Sequence, residues 1–293
     1  MKLVLIHGRG QAGQDPAQLK HDWLAALRYG CDRGHVQLPA DTVVEFAYYG
    51  DLLADLVAQV GTPLGQELRA KGPVPVPNEA LQGEILAEIA AQAGVSESDI
   101  RLETGNAPIQ KGPANWEWVQ AIIRALDHIP GLNSRLIDAF TRDVYVYLTY
   151  PGVRAQIDKV VADALGNEPC VVVAHSLGTV VAYNVLRARA ATPQYPKLVT
   201  VGSPLGIRAI KQQLATPLIS PPCIGQWFNA YDDRDVVALV PLDAQTFNVT
   251  PPIANKSDVL NFTDNRHGIE GYLADPVVAR QVVLGLQSPK PLT

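Results

Sequence analysis

The stretch Cys170-Val171-Val172-Val173-Ala174-His175-Ser176-Leu177-Gly178 constrains this chain more than any other. Cys170 to Val173 is an uninterrupted apolar run, as expected of a strand buried on both faces of a parallel sheet. Thr179 to Leu186 has the apolar spacing of a helix. Between the two, Ala174 to Gly178 leaves room only for a sharp turn, and that turn carries one serine. A strand, a small-residue turn and a helix make a nucleophile elbow, whose usual pattern is Gly-x-Ser-x-Gly. Ala174 stands where the first glycine is usual, and alanine is small enough for strand and helix to approach closely. The turn lifts the hydroxyl out of the sheet, and the helix N-terminus below it favours developing negative charge. A serine here could also do no more than cap a helix. Partners elsewhere in the chain decide between the two.

In chains that resemble this elbow pattern, an acid and then a histidine follow the serine, on loops beyond the C-terminal ends of strands. Of the six histidines (His7, His21, His35, His128, His175 and His267), only His267 follows Ser176. It lies in Asp264-Asn265-Arg266-His267-Gly268, a polar loop after a candidate strand at Asp258 to Phe262, where a general base can reach a serine. His175 is expected to point away from Ser176, because neighbours at a sharp elbow diverge. No glutamate lies between Ser176 and His267, so the acid is one of Asp232, Asp233, Asp235, Asp243, Asp258 or Asp264. Ile224 to Tyr231 reads as a strand, with Asp232-Asp233-Arg234-Asp235 directly after it. Asp235 is favoured, with Asp233 second. Asp232 and Asp233 otherwise read as caps of a solvated turn.

The N-terminus contributes a further part. Lys2 to Ile6 reads as a central strand, followed by His7-Gly8-Arg9-Gly10-Gln11-Ala12-Gly13. After such a strand, a His-Gly loop can present backbone N–H groups to an oxyanion, together with the N–H after the nucleophile. The donors would be Leu177 and, by position, Arg9 or Gly10, with His7 shaping the loop through its own hydrogen bonds. The same residues fit a rival pattern: Gly8, Gly10 and Gly13 match the G-x-G-x-x-G fingerprint of dinucleotide binding. That fingerprint also needs an acidic residue ending the next strand. The next strand, Thr42 to Tyr48, comes late and holds Glu45 inside it, while Asp15-Pro16 interrupts the helix expected at Gly13.

These residues together resemble the α/β-hydrolase superfamily, nearer its lipase and esterase branch than its peptidases. The likeness covers Lys2 to Ala12 and roughly Cys170 to Val283. It takes in Asp235-Val236-Val237-Ala238-Leu239-Val240-Pro241, which is similar to the acid loop of lipase-type members, and the Gly202-Ser203-Pro204 turn after a strand at Val199. The resemblance implies an α/β-hydrolase fold: a mostly parallel sheet beginning at the superfamily's third strand, with helices on both faces and a helical insertion. It implies hydrolysis of carboxylic esters, lipid or small acyl, through Ser176, His267 and Asp235, with no cofactor or metal. An acyltransferase or amidase could use the same residues. The dinucleotide-binding reading remains the alternative from another class.

Length fits one domain over residues 1–293 with a lobe inserted at about 61–142, serving as a lid or simply covering the sheet. In that lobe Gly61 to Asn78 is rich in glycine and proline, and Pro73 to Pro77 favours polyproline geometry. Helices are expected at Asp51 to Val60, Glu79 to Ala93 and Pro113 to Leu126, with a loop from Gly94 to Gly112. Asp143 to Tyr150 alternates like a strand, and Arg154 to Leu165 is helical. A net charge of −5 without a basic block argues against a nucleic-acid partner, and no apolar run approaches a membrane span. A strand starting at Lys2 leaves no room for a secretory signal, so a cytoplasmic protein is expected. Cys31, Cys170 and Cys223 read as reduced, buried thiols without metal-ligand spacing.

Overall fold

In the computed structural model of the protein, residues 1–60, 80–105, 111–113, 115–129, 133–190 and 195–288 are described. Six strands, β1 (Lys2–Ile6), β2 (Val43–Ala47), β3 (Cys170–His175), β4 (Tyr195–Val201), β5 (Ile224–Ala230) and β6 (Ala254–Lys256), form one sheet in the order β2-β1-β3-β4-β5-β6. Every pair is parallel, with Lys2 opposite both Val43 and Cys170, and Val172 opposite Leu198. The fold is therefore α/β with an all-parallel sheet flanked by helices. The continuous apolar runs explain it: all of β3 and nearly all of β1 are buried, as a sheet covered on both faces requires.

Alternation along the strands assigns side chains to the two faces. Leu3, Leu5, Val171, Val173, Val199 and Val201 share one cluster with Trp23 and Leu27 of the helix Pro16–Arg33, Tyr272 and Leu273 of Ile269–Leu273, and Val278 and Val282 of Pro276–Gln287. Each such side chain contributes about 1.5–3 kcal/mol relative to exposure. Val4, Ile6, Val172 and Ala174 point the other way, and the helix Leu177–Arg187 packs against β3 and β1. Its approach is very close: a Cβ on Gly178 would stand 2.3 Å from the His7 carbonyl oxygen. Pro16 does not break the first helix. It opens it at N1, where its missing N–H costs nothing, with Asp15 accepting from Ala17 N–H as N-cap.

The chain divides into two compact units, one formed by Met1–Leu52, Gln156–Gly206 and Leu214–Thr293, the other by Leu53–Ala155 and Ile207–Gln213. The second is helical, with Leu81–Gln92, Glu97–Glu103, Trp116–Leu126 and Ser134–Thr149. Two expectations there are corrected. Asp143 to Thr149 belongs to the helix Ser134–Thr149, with Tyr150 as its C-cap and Asn133 as its N-cap, which accepts from Arg135 and Leu136 N–H. Ile137, Phe140, Val144 and Leu148 follow helical spacing, and nearly every residue of the last two turns is buried, so no polar face interrupted the strand-like alternation. The loop Gly94 to Gly112 contains the helix Glu97–Glu103, which opens on a capping box between Ser96 and Asp99. The stretch Gly61 to Asn78, with its polyproline segment, lies outside the described residues. Among the described residues, no helix is long and apolar enough to cross a membrane.

A third correction concerns the sheet edge. The strand expected at Asp258 to Phe262 is absent, and the last strand is the short β6. Residues 257–262 do not pair as a ladder because their partners are loop groups: Val259 N–H donates to the Tyr231 carbonyl at 3.3 Å, and Asn261 N–H to Asp232 Oδ2 at 2.8 Å. A side chain takes the place that a neighbouring strand would fill.

Candidate active site

The chain leaves β1 toward β2 on one side, while β3 leads on toward β4 on the other. Such a switch point opens a crevice at the carboxyl ends of parallel strands, where ligands bind. Gly8 follows β1 and Ser176 follows β3 at this place. Ser176 holds φ 54° and ψ −130°, a strained backbone for a residue with a Cβ. Thr179 N–H and Thr179 Oγ1 both donate to the Ser176 carbonyl, the latter at 2.7 Å, and Thr179 Oγ1 also meets Ser203 Oγ at 2.8 Å. These bonds hold the turn from the helix side. The serine side chain makes no capping bond to its helix, which removes the capping explanation for it.

The hydroxyl is used elsewhere. Ser176 Oγ donates to His267 Nε2 at 2.8 Å, and His267 Nδ1 donates to Asp235 Oδ2 at 2.6 Å. Ser176 and Asp235 are buried, while the His267 side chain keeps 17% of its surface exposed. Asp235 takes two further bonds, from Val237 N–H to Oδ1 at 3.0 Å and from the Tyr272 hydroxyl to Oδ2 at 2.5 Å. Asp233 is not brought to the histidine. Its side chain is 78% exposed beside Arg234. Asp232 corrects the expectation of a solvated turn: it is fully buried, and its Oδ1 accepts from Arg234 N–H while Oδ2 accepts from Asn261 N–H. It thereby ties the acid loop to the loop that carries His267.

Loop 261–268 is built around Asn261. Its Nδ2 donates to the Gly268 carbonyl at 2.8 Å, and its Oδ1 accepts from Thr263 N–H and Thr263 Oγ1. Asn265 Oδ1 accepts from His267 N–H at 3.1 Å. Below the histidine, His175 Nε2 donates to the His267 carbonyl at 2.8 Å, with the two ring centroids 4.8 Å apart. Burial, and then the neighbouring His267, hold the His175 pKa well below the ordinary value, so the ring is a neutral donor. His175 and Tyr272 escape sequence reasoning because each acts across a long separation in the chain, and Asn261 because its short-range bonds to Thr263 and Gly268 follow no motif. No spacing rule links Tyr272 to Asp235.

Gly8 lies directly against the serine. A Cβ there would stand 2.7 Å from Ser176 Cβ and 3.3 Å from Oγ, so only glycine lets the loop pass. His7 is buried and shapes the loop: its Nδ1 donates to the Gly8 carbonyl, Tyr49 N–H donates to its Nε2 at 2.9 Å, and the Tyr49 hydroxyl donates to its carbonyl. Desolvation lowers its pKa to about 4. Gly10 takes φ 75°, turning the loop, and Leu177 opens the helix, whose first N–H groups have no acceptor within it. Glu45 stands exposed in the middle of β2, away from the strand end that a ribose would approach. Among the described residues no group of three or more His, Cys, Asp or Glu could hold a metal ion, and the three cysteines are buried and unbridged.

A serine hydroxyl bonded to an imidazole, itself oriented by a buried carboxylate, can be deprotonated as it attacks an electrophilic carbon. Comparison with protein-family models and with curated proteins finds no match to this chain.

Proposed function

We propose that the protein is a serine hydrolase of the α/β-hydrolase type that cleaves carboxylic esters, lipid or small acyl, through an acyl-enzyme. The single observation carrying this reading is the continuous relay Asp235 Oδ2–His267 Nδ1, His267 Nε2–Ser176 Oγ, with links of 2.6 and 2.8 Å. Its support is the elbow strain at Ser176, the Gly8 loop packed on that serine, and the chain order serine, acid, histidine. Ser176 attacks the ester carbonyl while His267 takes its proton. The Leu177 N–H and an N–H from Arg9 or Gly10 receive the oxyanion, and His267 returns the proton to the leaving alcohol. Water, activated by His267, then releases the acid. Asp235 holds the Nδ1–H tautomer and stabilises the imidazolium.

The test is hydrolysis of p-nitrophenyl acetate, butyrate and octanoate as a function of pH. kcat/KM is expected to fall as pH is lowered, giving an acid limb, because attack on the ester needs the neutral imidazole of His267. His267→Gln should remove that limb with nearly all activity. Near-full activity with an intact limb in His267→Gln would overturn the assignment.

A further inference from the structure

We infer that Tyr272 is a positioning residue of this site: its hydroxyl fixes Asp235 Oδ2 toward His267 and takes up part of the carboxylate charge, thereby setting how readily His267 gains a proton. The inference rests on the hydrolase reading above and adds a residue that the serine, acid and histidine pattern does not contain.

The geometry is specific. Asp235 Oδ2 accepts at once from His267 Nδ1 at 2.6 Å and from the Tyr272 hydroxyl at 2.5 Å, so one oxygen serves both donors. The Tyr272 oxygen in turn accepts from Asp232 N–H at 3.3 Å, which fixes the phenol across the acid loop. A Cβ on Gly202 would stand 3.0 Å from Tyr272 Cε2, 3.2 Å from His175 Cδ2 and 3.2 Å from His267 Cε1, so three rings converge on that glycine. Tyr272 is itself fully buried in the helix Ile269–Leu273, in the cluster that includes Trp23 and Val201. It therefore cannot swing away without disturbing the core. Burial, the Asp235 charge and the bond to Asp235 push the phenol pKa well above its usual value, so it remains a donor.

A carboxylate oxygen that already accepts one strong bond holds an imidazolium less tightly through the next. The other groups facing His267 do not reproduce this effect. His175, from β3, is neutral, with His7 as its own titratable neighbour, and Ser176 donates to the opposite ring nitrogen. Asp232 is spent on Asn261 N–H and Arg234. Tyr272 is thus the group whose removal changes Asp235 without touching the imidazole.

The experiment compares the pH dependence of p-nitrophenyl acetate hydrolysis, and the titration of ¹³C-labelled histidine by NMR, in the parent, Tyr272→Phe, and a protein carrying 3-fluorotyrosine at position 272. Tyr272→Phe should move the His267 titration and the kinetic limb upward by about half a unit and lower the plateau kcat/KM by about 3–10-fold. The fluorinated phenol, a stronger donor, should move both downward. Limbs unmoved in both proteins, with activity falling only as the melting temperature falls, would overturn the inference. If Tyr272→Phe does not fold, the fluorotyrosine shift alone decides. Failure of the hydrolase reading looks different: the parent would then turn over no p-nitrophenyl acetate, or Ser176→Ala would turn it over equally well, while the NMR titration of His267 would still report the Tyr272 shift.

Discussion

Replacing Asp235 by asparagine should be far more damaging than its near-isosteric shape suggests. Asp235 accepts three bonds with two oxygens: Val237 N–H at 3.0 Å on Oδ1, and His267 Nδ1 at 2.6 Å with the Tyr272 hydroxyl at 2.5 Å on Oδ2. Asparagine keeps one oxygen. With that oxygen toward His267 and Tyr272, its amide group confronts Val237 N–H, and a buried donor left unpaired costs about 1–3 kcal/mol. With the amide turned instead toward the imidazole, Nδ1 must become an acceptor. The proton then sits on Nε2, and Ser176 loses its base. Both arrangements also remove the charge that stabilises the imidazolium. The expected loss in kcat is roughly 10⁴-fold, as tautomer control in such a relay implies, or about 5.4 kcal/mol.

Asp233→Asn is the matched control. Its side chain is 78% exposed and its Arg234 neighbour lies at 3.7 Å, so stability should stay within about 0.5 kcal/mol and activity within about twofold. Both variants are read by p-nitrophenyl acetate kinetics, with thermal melts confirming the fold. Asp235→Asn retaining more than a tenth of parental kcat, or Asp233→Asn matching its loss, would refute the assignment of the acid.

Two further outcomes follow from the loop after β1. In Gly8→Ala the new methyl would lie 2.7 Å from Ser176 Cβ, so the loop or the serine must move. Overpacking of this kind costs about 1–3 kcal/mol, and displacing a reacting group by about 1 Å can cost about a hundredfold in rate. Fluorophosphonate labelling slowed by less than threefold would contradict this. His7, whose pKa burial lowers to about 4, is the source of an acid sensitivity. Its folded pKa lies below the unfolded value of about 6.5, so the unfolded chain binds its proton first as pH falls. The contribution is complete above about pH 6.5 and is lost progressively down to about 4, with a full span of about 3 kcal/mol. Urea unfolding at pH 7.5 and 4.5 should show a smaller difference between the two pH values in His7→Gln than in the parent, and equal differences would count against it.

The parts of this chain legible from sequence are those with local signatures. The run Cys170 to Val173 announces a fully buried strand, and the small residues around Ser176 announce the turn, because each rests on neighbours in the chain. The position of His267 followed from elimination, and Asp235 from the register of one loop. What escaped is held by distant partners. β6 is three residues of Ala-Asn-Lys with no apolar pattern, and residues 257–262 bond a buried aspartate in place of a strand. Ser134–Thr149 is buried on most sides, so its alternation imitated a strand. Asp232 looked like a surface turn because its bond from Arg234 N–H is local, as in a turn, while its tie to Asn261 N–H, 29 residues on, is invisible without the fold. Tyr272 reaches Asp235 only because its helix packs under the sheet.

The most direct measurement is labelling of the full chain with a fluorophosphonate probe, followed by proteolysis and mass mapping of the modified peptide. The probe's phosphorus should be found on Ser176, in the peptide spanning Cys170 to Arg187, and Ser176→Ala should take no label while keeping the parental melting temperature within a few degrees. Label on another residue, or undiminished labelling of Ser176→Ala, would contradict the account.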